Sequence, residues 1–354
     1  MRTKKYNNKE HGEINMRKLY ISIFVSLLLV APNVFSQGVT KVGTTASAFL
    51  LIDPNPRATA MGSAYVSVAN DASAMYWNPA GIASITSFDA VFVSSQWLAG
   101  LSYNYAGAVV SLGDFGNVGV NATFLRTDDM ERTTVYSPEG TGEFFDAGSY
   151  AVGISYARFL TDQFSIGFNG KFINDRIYHS SASGFALDIG LLFDTRFYGL
   201  KLGMSIANFG TKMQIEGRDL IIQHDVDENN VGNDPNVNAL WQTGKFDLPL
   251  MFRIGLSTDI LNGLYNSNLI VSVDALHPSD DVEYVNVGGE YVFNNILFLR
   301  AGWKECFKKE TEQSVTFGAG LKYNFGGIKV GFDFSYLYFH RLGDMKMFSV
   351  GLGM

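Results

Sequence analysis

The sequence predicts an all-β protein, a 14-stranded antiparallel transmembrane β-barrel with an N-terminal hatch, or plug, inside its lumen. Three observations lead to this prediction. Apolar and polar residues alternate with a period of two from Phe88 to the C-terminus, as in strands with two unlike faces. The polar face consists mostly of Gly, Ser and Asn, so charged residues are 17% of the chain, against about 25% in soluble domains. Short and long connections also alternate between the strands.

Composition and charge exclude several other classes of protein. The chain has 27 Lys and Arg residues against 34 Asp and Glu residues, a net charge of −7. Nucleic acid is therefore not an expected partner, because binding to phosphate needs a basic surface. The single cysteine, Cys306, excludes an internal disulfide and a Cys-based zinc site. Beyond residue 30, no apolar run approaches the ~18 residues of a membrane-spanning helix.

The N-terminus has the pattern of a secretory signal peptide, which we assign to residues 1–36. Met16, Arg17 and Lys18 begin it with positive charge, residues 19–30 are apolar, and Ser36 supplies a small residue before the cleavage point. A membrane anchor is the alternative, but so short a helix covers little of a hydrocarbon layer about 30 Å thick. Residues 1–15 are polar, so translation starting at Met16, with 1–15 as a non-native extension, is a further hypothesis.

The alternation predicts fourteen strands within the barrel domain, residues 88–354. Every second connection is tight, as at Asn294-Asn295 and Gly326-Gly327. Bacterial outer-membrane barrels have such short turns on the periplasmic side and longer loops outside. Between 284 and 304 the sequence is compatible with either face being the inner one. The predicted strands are 88–95, 103–112, 117–126, 147–159, 164–177, 183–194, 199–208, 248–259, 267–276, 284–293, 296–304, 314–325, 328–339 and 346–354.

The apolar face of each strand is expected to contact lipid, and the other face the lumen. Aromatic residues near both ends of the strands suggest two girdles, at Tyr103, Tyr105, Trp303, Tyr336 and Tyr338 on the long-loop side and at Phe159, Tyr198, Phe293 and Phe325 on the short-turn side. Charges of both signs fall on the inner face: Lys171, Asp175, Asp188, Lys201, Arg253, Asp259, Asp274, Lys322, Lys329 and Asp333. We expect them to pair with the hatch rather than line an ion-selective pore, which would show one sign in excess.

Residues 37–87 are expected to form the hatch and to enter the lumen from the periplasmic side. This segment lacks sustained alternation and is rich in Ala, Ser and Gly, and a 14-stranded barrel leaves space for a ligand, a pore or a plug. Asp71 is a candidate cap for one short helix. Asn78 followed by Pro79 is a candidate cap for a second, or alternatively a tight turn.

Two segments of the hatch resemble a known family signature. They are Asp53-Pro54-Asn55-Pro56-Arg57-Ala58-Thr59-Ala60-Met61-Gly62-Ser63-Ala64-Tyr65 and Asn70-Asp71-Ala72-Ser73-Ala74-Met75-Tyr76-Trp77-Asn78-Pro79-Ala80-Gly81. They resemble the PorV/PorQ family within the FadL-like barrels. The resemblance singles out as hatch motif residues Asp53, Arg57, Gly62, Asp71, Trp77, Asn78, Pro79, Ala80 and Gly81.

This resemblance implies one of two functions, and a location in the outer membrane of a Gram-negative bacterium of the Bacteroidota type. The first is type IX protein secretion, with a large translocon or secreted cargo as partner. The second is FadL-like uptake of hydrophobic small molecules, with a ligand in the lumen beside Asn78 and Pro79. A purely structural barrel is a third alternative.

The sequence offers little for catalysis or metal binding. His179, His224, His277 and His340 fall in or beside long loops, where polar residues are common, and there is no Gly-x-Ser-x-Gly elbow. The stretch 225–230 begins like a calcium loop, but Asn230 stands where that loop needs Gly. We expect no enzyme activity, no cofactor and no metal site.

The long segment between residues 209 and 247 is the candidate partner-contact loop. Its apolar residues Leu220, Ile221, Ile222 and Trp241 lie among acidic ones. An ordinary extracellular loop is the equal alternative, although long loops are often functional.

Overall fold

The computed structural model describes residues 41–225, 236–308 and 311–354. The predicted signal peptide and part of the calcium-like stretch lie outside these residues. Within the described ranges, none of the helices is long and apolar enough to cross a membrane.

A closed barrel of fourteen antiparallel strands dominates the fold, which confirms the predicted class. We number the barrel strands in chain order. They are β1 Phe88–Gln96, β2 Ser102–Ser111, β3 Asn117–Arg126, β4 Ala147–Thr161, β5 Phe164–Ile177, β6 Ser180–Asp194, β7 Lys201–Gly210, β8 Met251–Asp259, β9 Ser267–Pro278, β10 Tyr284–Phe293, β11 Leu297–Cys306, β12 Gln313–Phe325, β13 Ile328–Phe339 and β14 Gly343–Gly353.

Each strand pairs with its neighbour in sequence, and β1 pairs with β14 to close the ring, from Asp89 opposite Gly353 to Gln96 opposite Lys346. All fourteen predicted strands occur, with each end within three residues of its prediction. The tight turns have the positive φ angles that two-residue hairpins need, with 52° and 54° at Asn294 and Asn295.

Short strand pairs occur in the long loops. They are Met130–Glu131 with Phe144–Phe145, Met213–Gln214 with Lys245–Phe246, Glu216–Gly217 with the start of β6, and Ile221–His224 with Val237–Leu240. In the described part of the barrel domain, the 3-10 helices are Leu98–Gly100, Gly113–Phe115, Arg218–Leu220 and Leu264–Asn266.

From residue 41 onward, where the structure describes it, the hatch contains two α-helices and two 3-10 helices. The α-helices are α1 Pro56–Ala60 and α2 Ala74–Trp77, and the 3-10 helices are Ala48–Leu51 and Pro79–Ser84. Pro56 stands in the first turn of α1 and the Asn55 side chain accepts from the Arg57 N–H at 2.8 Å, so residue types that favour a helix start are in place.

The two faces of the wall have the predicted polarity. Phe168 and Phe317 are exposed on the outside of the barrel, whereas Ser165 and Asn169 are buried on the inside. The expectation for Tyr103 and Tyr105 is wrong, because both side chains point into the lumen and are at most 1% exposed. Their hydroxyls donate to the Ile52 and Ala72 carbonyls of the hatch at 3.0 and 3.3 Å. Burial against the hatch therefore outweighs the lipid-interface preference of tyrosine at these two positions.

Candidate functional site

The hatch runs through the whole lumen, from the long-loop end to the short-turn end. At the outer end, the Lys41 N–H donates to the Asp280 carbonyl and the Ala46 N–H to the Asp247 carbonyl, both at 2.9 Å. At the other end, the Ser87 carbonyl accepts from the Ser111 N–H at 2.7 Å. We expected entry from the periplasmic side. The described part of the hatch begins instead at the outer end, where Phe49 joins an apolar cluster.

Arg57 is the main charge on the hatch, and it is 5% exposed. Its Nε and Nη2 donate to the two carboxylate oxygens of Glu290 on β10, at 2.8 and 2.7 Å. Its Nη1 donates to the Tyr65 hydroxyl at 2.9 Å and to Asn70 Oδ1 at 2.8 Å, and lies 3.4 Å from Asp71. A guanidinium and a carboxylate bound through two parallel hydrogen bonds form a strong and directional pair. Helix α1 is thus attached to the wall.

Asp71 completes the hatch side of this cluster. It accepts from the Tyr65 hydroxyl at 2.8 Å and from the Ser73 N–H at 3.0 Å. Burial by itself raises the pKa of Asp71, but the charges of Arg57 and Lys322 and the hydrogen bonds from Ser73 and Tyr65 together outweigh burial, and the net pKa is lowered. Asp71 is therefore ionised at neutral pH and neutralises Arg57 from the hatch side.

The wall continues the network through residues that the sequence did not single out. Arg300 on β11 donates to Glu290 at 2.7 Å and to Asp333 on β13 at 2.6 Å. Asp333 was among the predicted inner charges. Glu290 and Arg300 lie between residues 284 and 304, where the alternation did not determine which face points into the lumen. The chain of charges Asp71, Arg57, Glu290, Arg300 and Asp333 links the hatch to three strands of the wall.

Two further contacts attach the hatch. Lys304 on β11, which was also missed, donates to Asp53 at 2.6 Å. Asp274 on β9, a predicted inner charge, accepts from the backbone N–H groups of Tyr65 and Val66 at 2.6 and 2.8 Å. Acidic and basic groups of the wall thus hold the hatch at several points along the chain.

Gly62 touches the backbone of the wall. Its φ is 62°, and a Cβ built there would lie 2.7 Å from the Trp303 nitrogen and 2.9 Å from the Val287 carbonyl oxygen. The Gly62 N–H donates to Thr316 Oγ1 at 3.0 Å. Only a residue without a side chain allows so close an approach.

Asn78 and the residues after it seat the second half of the hatch. Asn78 accepts from the Ala80 N–H at 3.2 Å and donates to the Val66 and Leu191 carbonyls at 2.9 Å, so it caps the 3-10 helix as a capping residue should. Pro79 packs against Gly167 and Gly190 of the wall. Trp77, Asn78, Pro79, Ala80 and Gly81 are all buried. The hatch motif residues therefore lie between the hatch and the wall, or in turns of the hatch itself.

The candidate partner-contact loop has an anchored base. Met213 is 1% exposed and Leu248 is 4% exposed, and both join the apolar cluster at the outer end of the lumen. Glu216 and Gly217 pair with the first residues of β6. The loop is therefore held against the barrel by both of its ends.

Above this base, a hairpin exposes large apolar side chains. Ile221 pairs with Leu240, and the Trp241 N–H donates to the Leu220 carbonyl at 2.9 Å. The exposed fractions are 50% for Ile221, 63% for Leu240 and 69% for Trp241. Leu220 and Ile222 are half-buried. We call Ile221, Leu240 and Trp241 the loop patch.

A mostly apolar cavity of about 380 Å³ lies at the outer end of the lumen, beneath the long loops. Leu51, Trp97, Leu125, Leu337 and Met345 contribute apolar surface, and Asp53 and Lys304 lie at its polar side.

The side chains of His179 and His277 are paired with acidic residues of the loops. His179 Nδ1 lies 3.1 Å from Asp219, and its other ring nitrogen contacts Arg218, so neither nitrogen faces a free hydroxyl. His277 pairs with Glu283 at 3.0 Å. Within the described part of the chain, no group of three His, Cys, Asp or Glu side chains is arranged to hold a metal ion.

A closed 14-stranded barrel with a plugged lumen defines the class of outer-membrane β-barrels. Solved structures share this fold. The CymD monoaromatic hydrocarbon channel matches with a TM-score of 0.52 and 9% identity, over 85% of this chain and 97% of that one. The Pseudomonas putida toluene transporter TodX matches with a TM-score of 0.50 and 11% identity, over the same shares. A Pseudomonas aeruginosa FadL homologue has a TM-score of 0.47 and 12% identity, over 84% of this chain and 97% of that one.

The model of the family described as type IX secretion system protein PorV matches residues 35–219, just over half of the chain. The chain belongs to this family. No curated protein matches the sequence. The resemblance to this family found in the hatch motif is thereby confirmed.

Replacing Arg57 with Met should loosen the hatch. The change removes the bidentate pair and leaves Asp71 and the Tyr65 hydroxyl without their cationic partner, while Glu290 keeps Arg300. Breaking a buried ion pair in this way costs about 3–5 kcal/mol. We expect a larger conductance in planar bilayers than for the unaltered protein. Arg126→Met, whose side chain is 67% exposed, is the control and should leave conductance unchanged. Equal conductance for both variants would show that Arg57 does not hold the hatch.

Gly62→Ala should displace the hatch by steric contact alone. The added Cβ meets the wall backbone at 2.7 Å, which leaves no room without movement. We expect faster proteolysis of the hatch in the detergent-solubilised protein. Gly43→Ala is the matched control, because Gly43 also has a positive φ, of 80°, but has no atom within 4 Å of the added Cβ. If both variants resist protease alike, the close contact at Gly62 is not a constraint.

Proposed function

We propose that this protein acts in type IX protein secretion, by binding a large translocon or secreted cargo through the loop patch, and that it catalyses no reaction. The observation that supports this most directly is the exposure of Ile221, Leu240 and Trp241 on a loop with an anchored base. Contiguous large apolar side chains exposed to water mark interaction surfaces. Membership of the PorV family supports the same function, in the outer membrane of a Bacteroidota-type bacterium.

Contact with membrane lipid does not account well for the exposed apolar side chains of the loop patch. The hairpin belongs to the connection between β7 and β8, on the long-loop side, beyond the ends of both strands. Charged residues surround it, including Arg218, Asp219 and Lys245, all of which are exposed. Charges among the apolar residues suit an interface with a protein in water better than contact with acyl chains.

The attached hatch also favours binding over conduction. Arg57, Asp53 and Gly62 are each held by a contact with the wall, and moving the hatch would break all three contacts. A barrel with its lumen closed in this way presents its outer loops as the accessible surface. Binding of a macromolecule by the loops requires no movement of the hatch.

Trp241→Ala combined with Ile221→Ala should abolish capture of the partner. These substitutions remove most of the apolar area of the loop patch without touching the barrel. We expect a large translocon barrel or secreted substrates to co-purify with the unaltered protein from native outer membrane in mild detergent, and to be lost from the double variant. Tyr136→Ala combined with Val135→Ala is the control, since these side chains are 97% and 94% exposed in a different long loop. Equal recovery of the partner with all three proteins would contradict the proposal.

Uptake of hydrophobic small molecules is the second candidate, and the 380 Å³ cavity favours it. Its volume is within the usual range for small-molecule sites, and the structural relatives CymD and TodX are named as a hydrocarbon channel and a toluene transporter. Asn78 and Pro79, beside which we expected a ligand, are instead packed against the wall. For this candidate, the outer cavity is the better site.

Leu125→Trp should weaken binding of an apolar probe if the cavity is a ligand site. The larger side chain fills space beside Trp97 and Leu337. We expect 1-aminoanthracene to show saturable fluorescence enhancement with the unaltered protein and at least tenfold weaker binding to Leu125→Trp. Leu342→Trp, at a site that is 59% exposed, should bind as the unaltered protein does. Absence of saturable binding to the unaltered protein would remove this candidate and leave the secretion proposal standing.

A further inference from the structure

The outer part of the hatch contacts both ends of the partner-contact loop. The Ala46 N–H donates to the Asp247 carbonyl at 2.9 Å, just before the loop rejoins the barrel at β8. Ser47 Oγ lies 3.1 Å from Met213 Sδ, just after the loop leaves β7. Two consecutive residues of the hatch thus hold the two arms of the loop. We call residues 46–52 the hatch seat.

Apolar packing adds to these polar contacts. Phe49 and Leu50 of the hatch seat are 5% and 4% exposed, and they belong to the same buried cluster as Met213 and Leu248 of the loop. Met213 also packs against Gly184 of β6, where an added Cβ would lie 2.8 Å from its Cγ. The base of the loop therefore fills the space between the hatch seat and the wall, and removing the seat would expose it to water.

The hatch seat has its own attachments to the barrel. Ser47 Oγ donates to Asp175 Oδ2 on β5 at 2.6 Å. The Ile52 carbonyl accepts from the Tyr103 hydroxyl on β2 at 3.0 Å. These bonds join the seat to strands that do not border the loop, so the position of the seat is determined by the lumen and not by the loop.

A continuous two-stranded ribbon leads from the hatch seat to the loop patch. Its pairs, from the seat outward, are Met213 with Phe246, Gln214 with Lys245, Ile215 with Thr243, Leu220 with Trp241 and Ile221 with Leu240. A two-stranded ribbon alone is marginally stable in water. Its described support consists of the short pairing of Glu216 and Gly217 with β6 and the packing of its base on the hatch seat.

We propose that the hatch seat positions the loop patch, so that the protein presents its partner-binding surface only while its lumen is plugged. The role of the patch in binding rests on the proposed function, whereas the coupling rests on the contacts between hatch and loop. Withdrawal of the seat removes the packing under the ribbon and lets the patch lose its order. Because coupling between two sites is reciprocal, a partner that binds the ordered patch also stabilises the plugged state.

Hydrogen exchange of the full-length protein in detergent tests the coupling without any partner. Phe49→Ala removes packing beneath the loop, and Met75→Ala is the matched control, because Met75 is equally deep in the hatch but packs against Gly107 of β2 in a separate cluster. We expect the amides of 221–224 and 237–241 to exchange about tenfold faster in Phe49→Ala, since local opening no longer breaks that packing. Met75→Ala should leave them unchanged.

A second long loop provides an internal reference in every sample. The amides of its ribbon, Met130–Glu131 with Phe144–Phe145, should exchange at the same rate in all three proteins. Unchanged exchange of the loop patch in Phe49→Ala overturns the proposal, and so does an equal acceleration in Met75→Ala. If Phe49→Ala does not fold, Ser47→Ala is used, which removes only the hydroxyl contact with Asp175 and Met213. It should accelerate the same amides about threefold.

Capture of the partner tests the functional half of the proposal. In co-purification from native outer membrane, Phe49→Ala should recover several-fold less translocon or cargo than Met75→Ala, although neither change alters the loop patch itself. Equal recovery with the two variants and the unaltered protein overturns control of binding by the hatch. If the unaltered protein captures no partner, the proposed function fails, and the exchange rates still decide whether the hatch seat orders the loop.

Discussion

The closed state of this barrel depends on the ion pair between Arg57 of the hatch and Glu290 of the wall. Both side chains are out of water, so neither tolerates separation from its partner. Arg300 fixes Glu290 from the other side and is itself bound to Asp333. Moving α1 away from the wall would therefore leave buried charges unpaired. The attachment of α1 to the wall in turn limits where the rest of the hatch can lie.

Close packing acts together with the charges. Gly62 of the hatch lies against the backbone of β10 and β11, the strands that provide Glu290 and Arg300. Hydrogen bonds and ion pairs determine where the hatch binds, and the absence of side chains at Gly62, Gly288 and Gly302 allows the approach that makes those bonds short. Since the interior is occupied in this way, the large apolar side chains left exposed to water at the outer end include those of the anchored loop.

Most of the wall could be predicted from sequence, because lipid on one side and a polar lumen on the other impose a period of two on every strand. The alternation of Phe164, Ser165 and Ile166 is sufficient to assign both faces of β5, and the same holds for β12 and β13. Tyr103 and Tyr105 were misassigned for a physical reason. A tyrosine near a strand end suits the lipid interface, but its hydroxyl suits a carbonyl of the hatch equally well, and residue type does not distinguish the two.

The sequence by itself determined the barrel, its strand number, the inner charges on strands with clear alternation, and the hatch motif. The tertiary structure alone identified Glu290, Arg300 and Lys304 as the wall partners of the hatch. In β10, glycine occupies both faces at Gly288 and Gly289, and the pairing with β11 shifts between Val285 and Val287. The alternation of apolar and polar residues therefore does not determine which face of this segment points into the lumen. The inner face is the one that carries Glu290 and Lys304, which pair with Arg57 and Asp53. These partners come from a distant part of the chain, so only the tertiary structure brings them to these strands.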